Sequence, residues 1–463
     1  MLKAFIHKIS ARFEQLAVKG KNKSDGPHMY SAKELGFNQN QIAASAVSLC
    51  RTLQQAGFKA YVVGGAVRDQ LLGLKPKDFD VATDAKPEQV KQVFKRAYII
   101  GKRFRIVHVV MGREVIEVTT FRGGTEQGHK DEHGKLVSDN VYGSQAEDAV
   151  RRDFTINALY YDPVAHTIHD YVGAMADIRR KRLRLIGHAA TRYTEDPVRM
   201  LRAVRLCAKT GCALDAEAAK AIPKQAHLLA HVPGPRLHDE SLKFLLSGHA
   251  QDGLALFPHY HLPLTHVPLL QELSQAIKQD QFINLALANS DARVRQGKSV
   301  TEAFLFACLL WRKLQQQWRA SEAEITHPLT ALHAACDQVL DTEARALNLT
   351  RKNTGMMREI WLMQPRFEQR SSSHAQKFAD HERFRAAYDF YLLRADAGDA
   401  EPDVGRWWTD FYAADADARA EMIESQRAAL RSKTGAVEAR TGAKKRRRKP
   451  RSRNVSVTVK DYD

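Results

Sequence analysis

Two aspartates separated by one residue, Asp78 and Asp80 in KDFDVAT, follow closely on two adjacent glycines, Gly64 and Gly65 in YVVGGAVRD. In a strand, residues i and i+2 share a face, so Asp78 and Asp80 are expected side by side while Phe79 and Val81 point into the core. Two carboxylates so placed repel, and a divalent cation bridging them resolves the repulsion. Paired carboxylates with open positions suit Mg²⁺, or Mn²⁺, carrying a nucleoside triphosphate. The plain alternative is a solvated strand face. Upstream, a buried strand runs into a Gly-Gly turn whose backbone can approach a ligand closely. The helix that follows presents first-turn amides and Arg68, a geometry that binds phosphate. No Lys-Ser/Thr follows the glycines and the GxGxxG spacing is absent, so neither a P-loop kinase nor a dinucleotide-dependent dehydrogenase is supported.

Two later segments extend this set. RRDFTINALYYDP, 151–163, supplies Arg151, Arg152, Asp153 and Asn157, and TEDPVRMLRAVR, 194–205, supplies Asp196, Arg199, Arg202 and Arg205. Pro197 suits a first helical position, which predicts Asp196 as the N-cap and Arg199 as the third helical residue. A strand, GG, a helix with Arg-Asp and then DxD, followed by these two segments in order from about residue 60 to 210, resembles the nucleotidyltransferase superfamily that includes DNA polymerase beta. The specific resemblance is to its class II, which contains bacterial poly(A) polymerases and CCA-adding enzymes.

That resemblance implies an α/β polymerase-beta-like head with a mixed sheet, followed by all-α neck and body domains and a disordered basic tail. It implies transfer of a nucleoside monophosphate to an RNA 3′ end with release of pyrophosphate. Asp78 and Asp80 would hold the metals, and Gly64, Gly65 and Arg68 would meet the triphosphate. Asp153 resembles the third catalytic carboxylate, with Glu117 of VIEVTT as its rival, and Arg151, Arg152 and Asn157 stand as nucleotide contacts. Asp196 and Arg199 correspond to residues that pair with the incoming base, and Arg202 and Arg205 to further contacts. An aspartate that accepts from an amino group beside an arginine that donates to a ring nitrogen fits adenine, but it fits cytosine as well. The string IIGKRFRIVHV, 99–109, the basic tail and the segments QPRFEQR and RFRAAYDFYLLR resemble the poly(A) polymerase branch, so ATP is the expected substrate. CCA addition to tRNA is the alternative within the class, and a non-catalytic RNA-binding protein is the alternative outside it.

The elements that must position these residues divide the 463-residue chain, which is 44% hydrophobic and long enough for several domains. Residues 1–45 read as a partly ordered N-terminal extension. Strands and helices interleave through a head at 46–185, with Val90, Val93, Phe94 and Ala97 at helical spacing after Pro87. The glycine-rich, charged stretch 123–143 reads as a loop within it. Helical periodicity alone continues through a neck at 186–265, which carries the base-recognition helix, and an RNA-binding body at 266–430. There, Phe384, Tyr388 and Tyr391 form an aromatic stripe expected in the core.

The net charge is +18, and nine basic residues with no acid lie in RTGAKKRRRKPRSR, 440–453, so half the excess sits in a tail at 431–463. Such a block cannot pack a core and is a candidate polyanion-binding arm. Lys444, Lys445, Arg446, Arg447, Arg448, Lys449, Arg451 and Arg453 are its expected RNA contacts. RNA 3′ ends are the expected partner, with RNA-decay proteins as further candidates. Five cysteines without a CxxC pair suit a reducing compartment, hence a cytoplasmic protein. The longest apolar run, AFLFACLLW at 303–311, is shorter than the ~18 residues a membrane span needs.

Overall fold

Short runs of β-branched and aromatic residues between glycines and charged turns make the strands of the first part of the chain. They are β1 (His28–Ser31), β2 (Ala60–Val63), β3 (Asp80–Thr83), β4 (Ala97–Ile100), β5 (Ile106–Met111), β6 (Glu114–Thr120), β7 (Leu159–Asp162) and β8 (Thr167–Asp170). The computed structural model describes residues 26–101, 105–123, 129–130, 136–138, 141–370 and 374–441, with backbone alone at 129–130, 136–138, 346, 430 and 432–441. Lys102, Arg103 and Phe104 of the basic string, and every expected RNA contact from Lys444 to Arg453, lie outside the described residues.

The eight strands form one mixed sheet in the order β1-β8-β7-β2-β3-β6-β5-β4, in which β3 and β6 run parallel and the other pairs antiparallel. This is the mixed-sheet head the sequence leads one to expect. It begins earlier than the head boundary at residue 46, because β1 adds to the sheet edge beside β8. Four residues with a half-exposed pattern carry too little periodicity to announce that strand. Helices α1 (Ala44–Gln55) and α3 (Pro87–Val93) pack on one face of the β4–β6 half, with Pro87 at the start of α3 as expected. The helix ends at Val93, however, and Ala97 opens β4 instead of continuing the helical face.

Three further helices place the remaining motifs. Helix α2 (Gly65–Leu71) follows β2, and Gly64 between them has φ 76°, a left-handed conformation that glycine adopts without strain. Helix α4 (Gln145–Arg151) begins with a capping box between Ser144 and Glu147. In α5 (Ala174–Arg179), the fully buried Asp177 accepts from Thr155 at 2.7 Å and from Arg182 and Arg184 at 2.5 and 2.9 Å. That carboxylate fixes the short turn after Asp153 to the segment 182–184 that follows α5.

Helix α6 (Ala189–Glu195) and helix α7 (Arg199–Thr210) come next, and from there helices dominate. Met200, Leu201, Ala203, Val204, Leu206 and Cys207 bury one side of α7. The spacing of Arg199, Arg202, Arg205 and Lys209 sets the cations along its other side.

The chain divides into two units. The first runs through Leu305 and includes Arg345–Asn348, and the second comprises Phe306–Ala344 and the chain from Leu349 onward. The second unit is helical, around a core in which Trp408 and Phe378 meet Phe367 edge-on and the Trp408 indole donates to the Phe367 carbonyl at 2.8 Å. Phe384, Tyr388 and Tyr391 are buried there, as their spacing leads one to expect. Its last helix, Ala416–Thr441, carries helical backbone into the stretch the sequence assigns to the tail. No described helix is long and apolar enough to cross a membrane.

Candidate active site

Asp80 is the first residue of β3, and the ladder pairs it with Glu117 of β6 on one side and Val63 of β2 on the other. Residues directly opposite in a sheet share a face, so Asp80 and Glu117 stand roughly 4.8 Å apart along the strand-pairing direction. Asp78 precedes the strand, because residues 74–79 pair with no neighbouring strand. The expectation of two aspartates within one strand is corrected accordingly. Val81 is buried, but Phe79 is only half-buried.

Two cavities meet at this point. The first, about 400 Å³, is lined by Val63, Asp80, Glu117, Thr119, Arg122, Asp148, Arg151, Arg152, Asp153, Asp196, Arg199 and Arg202. The second, about 470 Å³, includes Lys77, Asp78, Asp80, His108, Val115 and Glu117. Asp80 and Glu117 line both.

The carboxylates of the first cavity fall into two groups. Asp148 accepts from Arg152 at 3.0 Å and from the Tyr160 hydroxyl at 2.7 Å. Asp153 is buried and paired with Arg202 at 2.8 Å, and it also accepts from the Asn157 amide and the Phe154 N–H. Burial raises the Asp153 carboxyl, but Arg202, the two hydrogen bonds and Arg199 outweigh burial and hold it below its ordinary range. Asp196 pairs with Arg236 at 2.6 Å.

The carboxylates of Asp78, Asp80 and Glu117, by contrast, make no ion pair or hydrogen bond among the described residues. Desolvation, followed by the Glu117 charge and more weakly Asp78, pushes the Asp80 carboxyl up to about 6 against the pull of Arg152. Glu117, which the sequence leaves as a rival to Asp153, is thus the carboxylate adjoining Asp80. Nothing in its own strand shows this, because only the register with β3 brings the two acids together. No group of three or more His, Cys, Asp or Glu side chains forms a metal cage among the described residues. Uncompensated oxygen donors beside an open cavity suit a cation that arrives with a phosphate ligand better than a dedicated cage.

Several expected nucleotide contacts lie elsewhere. Arg68 is buried and donates to Asp69 at 2.6–2.8 Å and to the Asn157 side chain at 2.5 Å, so its guanidinium is committed within the protein. Arg205 donates to the buried Glu240 at 2.9 Å. Gly64, Gly65, Asn157 and Arg205 do not line the cavity. Gly64 lies beneath it, since a Cβ there would come within 3.8 Å of Arg152 Nη1. Asp196 does not cap α7. It closes α6 and its Oδ2 accepts from Arg236, a charge-assisted bond that replaces the capping bond. Its Oδ1 is buried without a hydrogen-bond partner among the described residues. Arg122, Asp148 and Thr119 join the lining without any motif to announce them.

Buried polar groups connect the two sides of the cavity. Arg202 of α7 pairs with Asp153, Asn157 bonds Asp153 and Arg68, Arg68 bonds Asp69, and Asp69 accepts from Lys209 of α7 at 2.7 Å. Arg202 and Lys209 are about two turns apart on one helix, so the chain of contacts closes on itself. Arg192 of α6 adds bonds to the Arg151 and Arg152 carbonyls at 2.9 and 2.7 Å.

Comparison with known proteins gives a consistent picture. Residues 60–184 match the family described as poly A polymerase head domain, 211–273 a probable RNA and SrmB-binding site of polymerase A, and 324–453 the polymerase A arginine-rich C-terminus. The chain is 42% identical over 392 residues to poly(A) polymerase I of Escherichia coli O157:H7, covering 81% of this chain and 83% of the relative. It is 38% identical over 414 residues to poly(A) polymerase I of Haemophilus influenzae, covering 86% and 91%. A CCA-adding enzyme of Bacillus pumilus is 42% identical over 207 residues, covering 44% of this chain and 50% of that one. The crystal structure of the Bacillus stearothermophilus CCA-adding enzyme in complex with CTP superimposes with a TM-score of 0.52 at 28% identity, covering 78% of this chain and 81% of that one.

The raised Asp80 carboxyl has a thermodynamic consequence. Below its ordinary value of 3.8 both folded and unfolded chains hold the proton, whereas above about 6 the folded chain carries a charge that its surroundings disfavour. In metal-free buffer with chelator, Asp80→Asn should therefore raise the thermal unfolding midpoint at pH 8, and the gain should shrink to nothing as the pH falls from 6 to 4. Calorimetry across that range checks it, and a gain independent of pH would contradict it.

Proposed function

The chain belongs to the poly(A) polymerase I family, and we propose that it builds RNA tails at the junction of the two cavities, with Asp80, Asp78 and Glu117 as the catalytic carboxylates. It is a template-independent RNA nucleotidyltransferase that transfers AMP from ATP to RNA 3′ ends and releases pyrophosphate. The sequence likeness to poly(A) polymerase I over more than four-fifths of the chain carries this reading, while the sequence likeness to the Bacillus pumilus CCA-adding enzyme covers less than half.

The unpaired carboxylates fit Mg²⁺ or Mn²⁺, and Asp78, Asp80 and Glu117 would hold it. When bound, such a cation neutralises triphosphate charge and makes a hydroxyl more acidic. The protein's own part is positioning and electrostatics. Arg122, Arg151 and Arg152 place guanidinium groups around the anionic triphosphate. Asp196 Oδ1, buried and without a hydrogen-bond partner among the described residues, is an acceptor for the exocyclic amino group of a base. Arg199 Nη1 is taken by Glu195 and the Arg192 carbonyl, which leaves the rest of its fork for a ring nitrogen. Asp153 acts through Arg202, as a positioning group in place of the third catalytic carboxylate. The five cysteines are buried and free, which supports a reducing, cytoplasmic setting. The basic tail is assigned the role of an RNA tether.

Asp78→Ala and Asp80→Ala should each abolish AMP addition to labelled RNA while the far-ultraviolet spectrum stays native. Near-normal addition by both folded variants would remove these aspartates from the catalytic set, and a parent chain that adds no nucleotide at all would leave only the non-catalytic RNA-binding reading. Supplied with one nucleotide at a time, the intact chain should make long products from ATP on generic RNA and use CTP poorly. Short products that require CTP and tRNA would instead identify CCA addition. Ending the chain at residue 441 should weaken RNA binding and flatten its salt dependence, by roughly 0.7 in slope for each phosphate no longer neutralised. Unchanged affinity and slope would remove the tether.

A further inference from the structure

The row of side chains that contains Asp80 and Glu117 does not end at Glu117. Glu117 pairs with His108 of β5, and His108 pairs with Tyr98 of the edge strand β4. Asp80, Glu117, His108 and Tyr98 therefore lie in one line across one face of the sheet, with Tyr98 three strand spacings, roughly 14 Å, from Asp80.

The two faces of this half-sheet differ sharply. On one, Ala97, Val107, Val109, Ile116 and Val118 are buried under α1 and α3. On the other, Tyr98 is 58% exposed, Val115 56% and Ile100 43%. Three of the eight large apolar side chains exposed among the described residues are thus gathered on one sheet face that runs directly into the carboxylates. A contiguous apolar face of this kind marks a binding surface. Its rim is cationic, since Lys95 and Arg96 stand exposed where β4 begins and Arg113 in the β5–β6 turn, and none of them is in an ion pair among the described residues.

We propose that the open face of β4–β6 is the seat of the RNA 3′-terminal nucleotides, with the Tyr98 ring as a stacking platform for a base behind the reacting end and the rim cations against the phosphates. This rests on the polymerase reading, which requires the RNA hydroxyl to reach Asp80 and Glu117. The row offers a flat ring and an imidazole at a distance from the carboxylates that fits nucleotides upstream of the terminal one. An aromatic platform beside cations binds single-stranded nucleic acid with little sequence preference, because every base has a stacking face. That tolerance is what repeated addition to changing RNA ends demands.

The test compares the full-length chain with Tyr98→Ala, Tyr98→Phe and, as an exposed apolar control in the β7–β8 turn, Val164→Ala. Each is assayed with a labelled oligo(A) primer at saturating ATP, and then with ATP varied at saturating primer. Tyr98→Ala should raise KM for the primer about tenfold and KM for ATP by less than about twofold. Tyr98→Phe should restore the primer KM, and Val164→Ala should match the parent chain. A primer whose last three nucleotides lack bases should bind the parent chain and Tyr98→Ala alike. A primer KM unaffected by Tyr98→Ala overturns the proposal, including the case in which that variant instead loses a co-purifying protein. Equal rises for ATP and primer overturn it too, since they report general distortion. A parent chain that extends no RNA with any nucleotide overturns the polymerase reading itself, a failure distinct from that of the Tyr98 platform.

Discussion

The shape of the first cavity depends on how α7 is held against the head, and two buried aspartates hold it. Arg202 meets Asp153 and Lys209 meets Asp69, while Asn157 and Arg68 complete the connection between the two acids. Asp69 and Asp153 are 2% and 9% exposed, so neither charge is tolerable alone. Removing Arg202 leaves the Asp153 charge without its ion-pair partner, whereas Asp69 keeps Arg68 when Lys209 is removed. The geometry between the strand that carries Asp80 and the helix that carries Arg199 and Arg202 is therefore set by a closed circuit of ion pairs and hydrogen bonds and not by a flexible linker. Arg68 and Asn157 serve the site by belonging to that circuit.

The same principle sorts the carboxylates of the cleft. Asp148, Asp153 and Asp196 each have a guanidinium partner and act as fixed parts of the wall. Asp78, Asp80 and Glu117 have none among the described residues, and desolvation and mutual repulsion raise the Asp80 carboxyl. A site that leaves three acids uncompensated beside several arginines is arranged for a ligand that brings both cationic and anionic charge, as a metal-bound triphosphate does.

Local chemistry is legible in the sequence and long-range partnership is not. The doubled glycine, the DxD spacing and the interleaved strands lead to the mixed-sheet head, and Gly64 has the positive φ that the turn requires. Glu117 reads as a wet strand residue because alternation tells which face a side chain occupies but not what stands on the next strand. Asp196 looks like an N-cap because Asp-Pro is a strong local signal, yet Arg236, forty residues away, outcompetes the backbone for its carboxylate. Lys209 lies 140 residues from Asp69 and carries no motif at all. The strand His28–Ser31 is short and gains its place only by pairing with Thr167–Asp170.

The most direct test is nucleotide selectivity in a chain whose circuit is opened away from the cavity. Lys209 lines neither cavity and lies off the exposed sheet face, yet it fixes one end of α7. The ratio of kcat/KM for ATP to that for CTP should fall by about tenfold in folded Lys209→Met, a loss of roughly 1.4 kcal/mol of discrimination, because Asp196 and Arg199 lose their register with Asp80. An unchanged ratio in a variant that folds normally would contradict the claim that this buried circuit sets the geometry of the site.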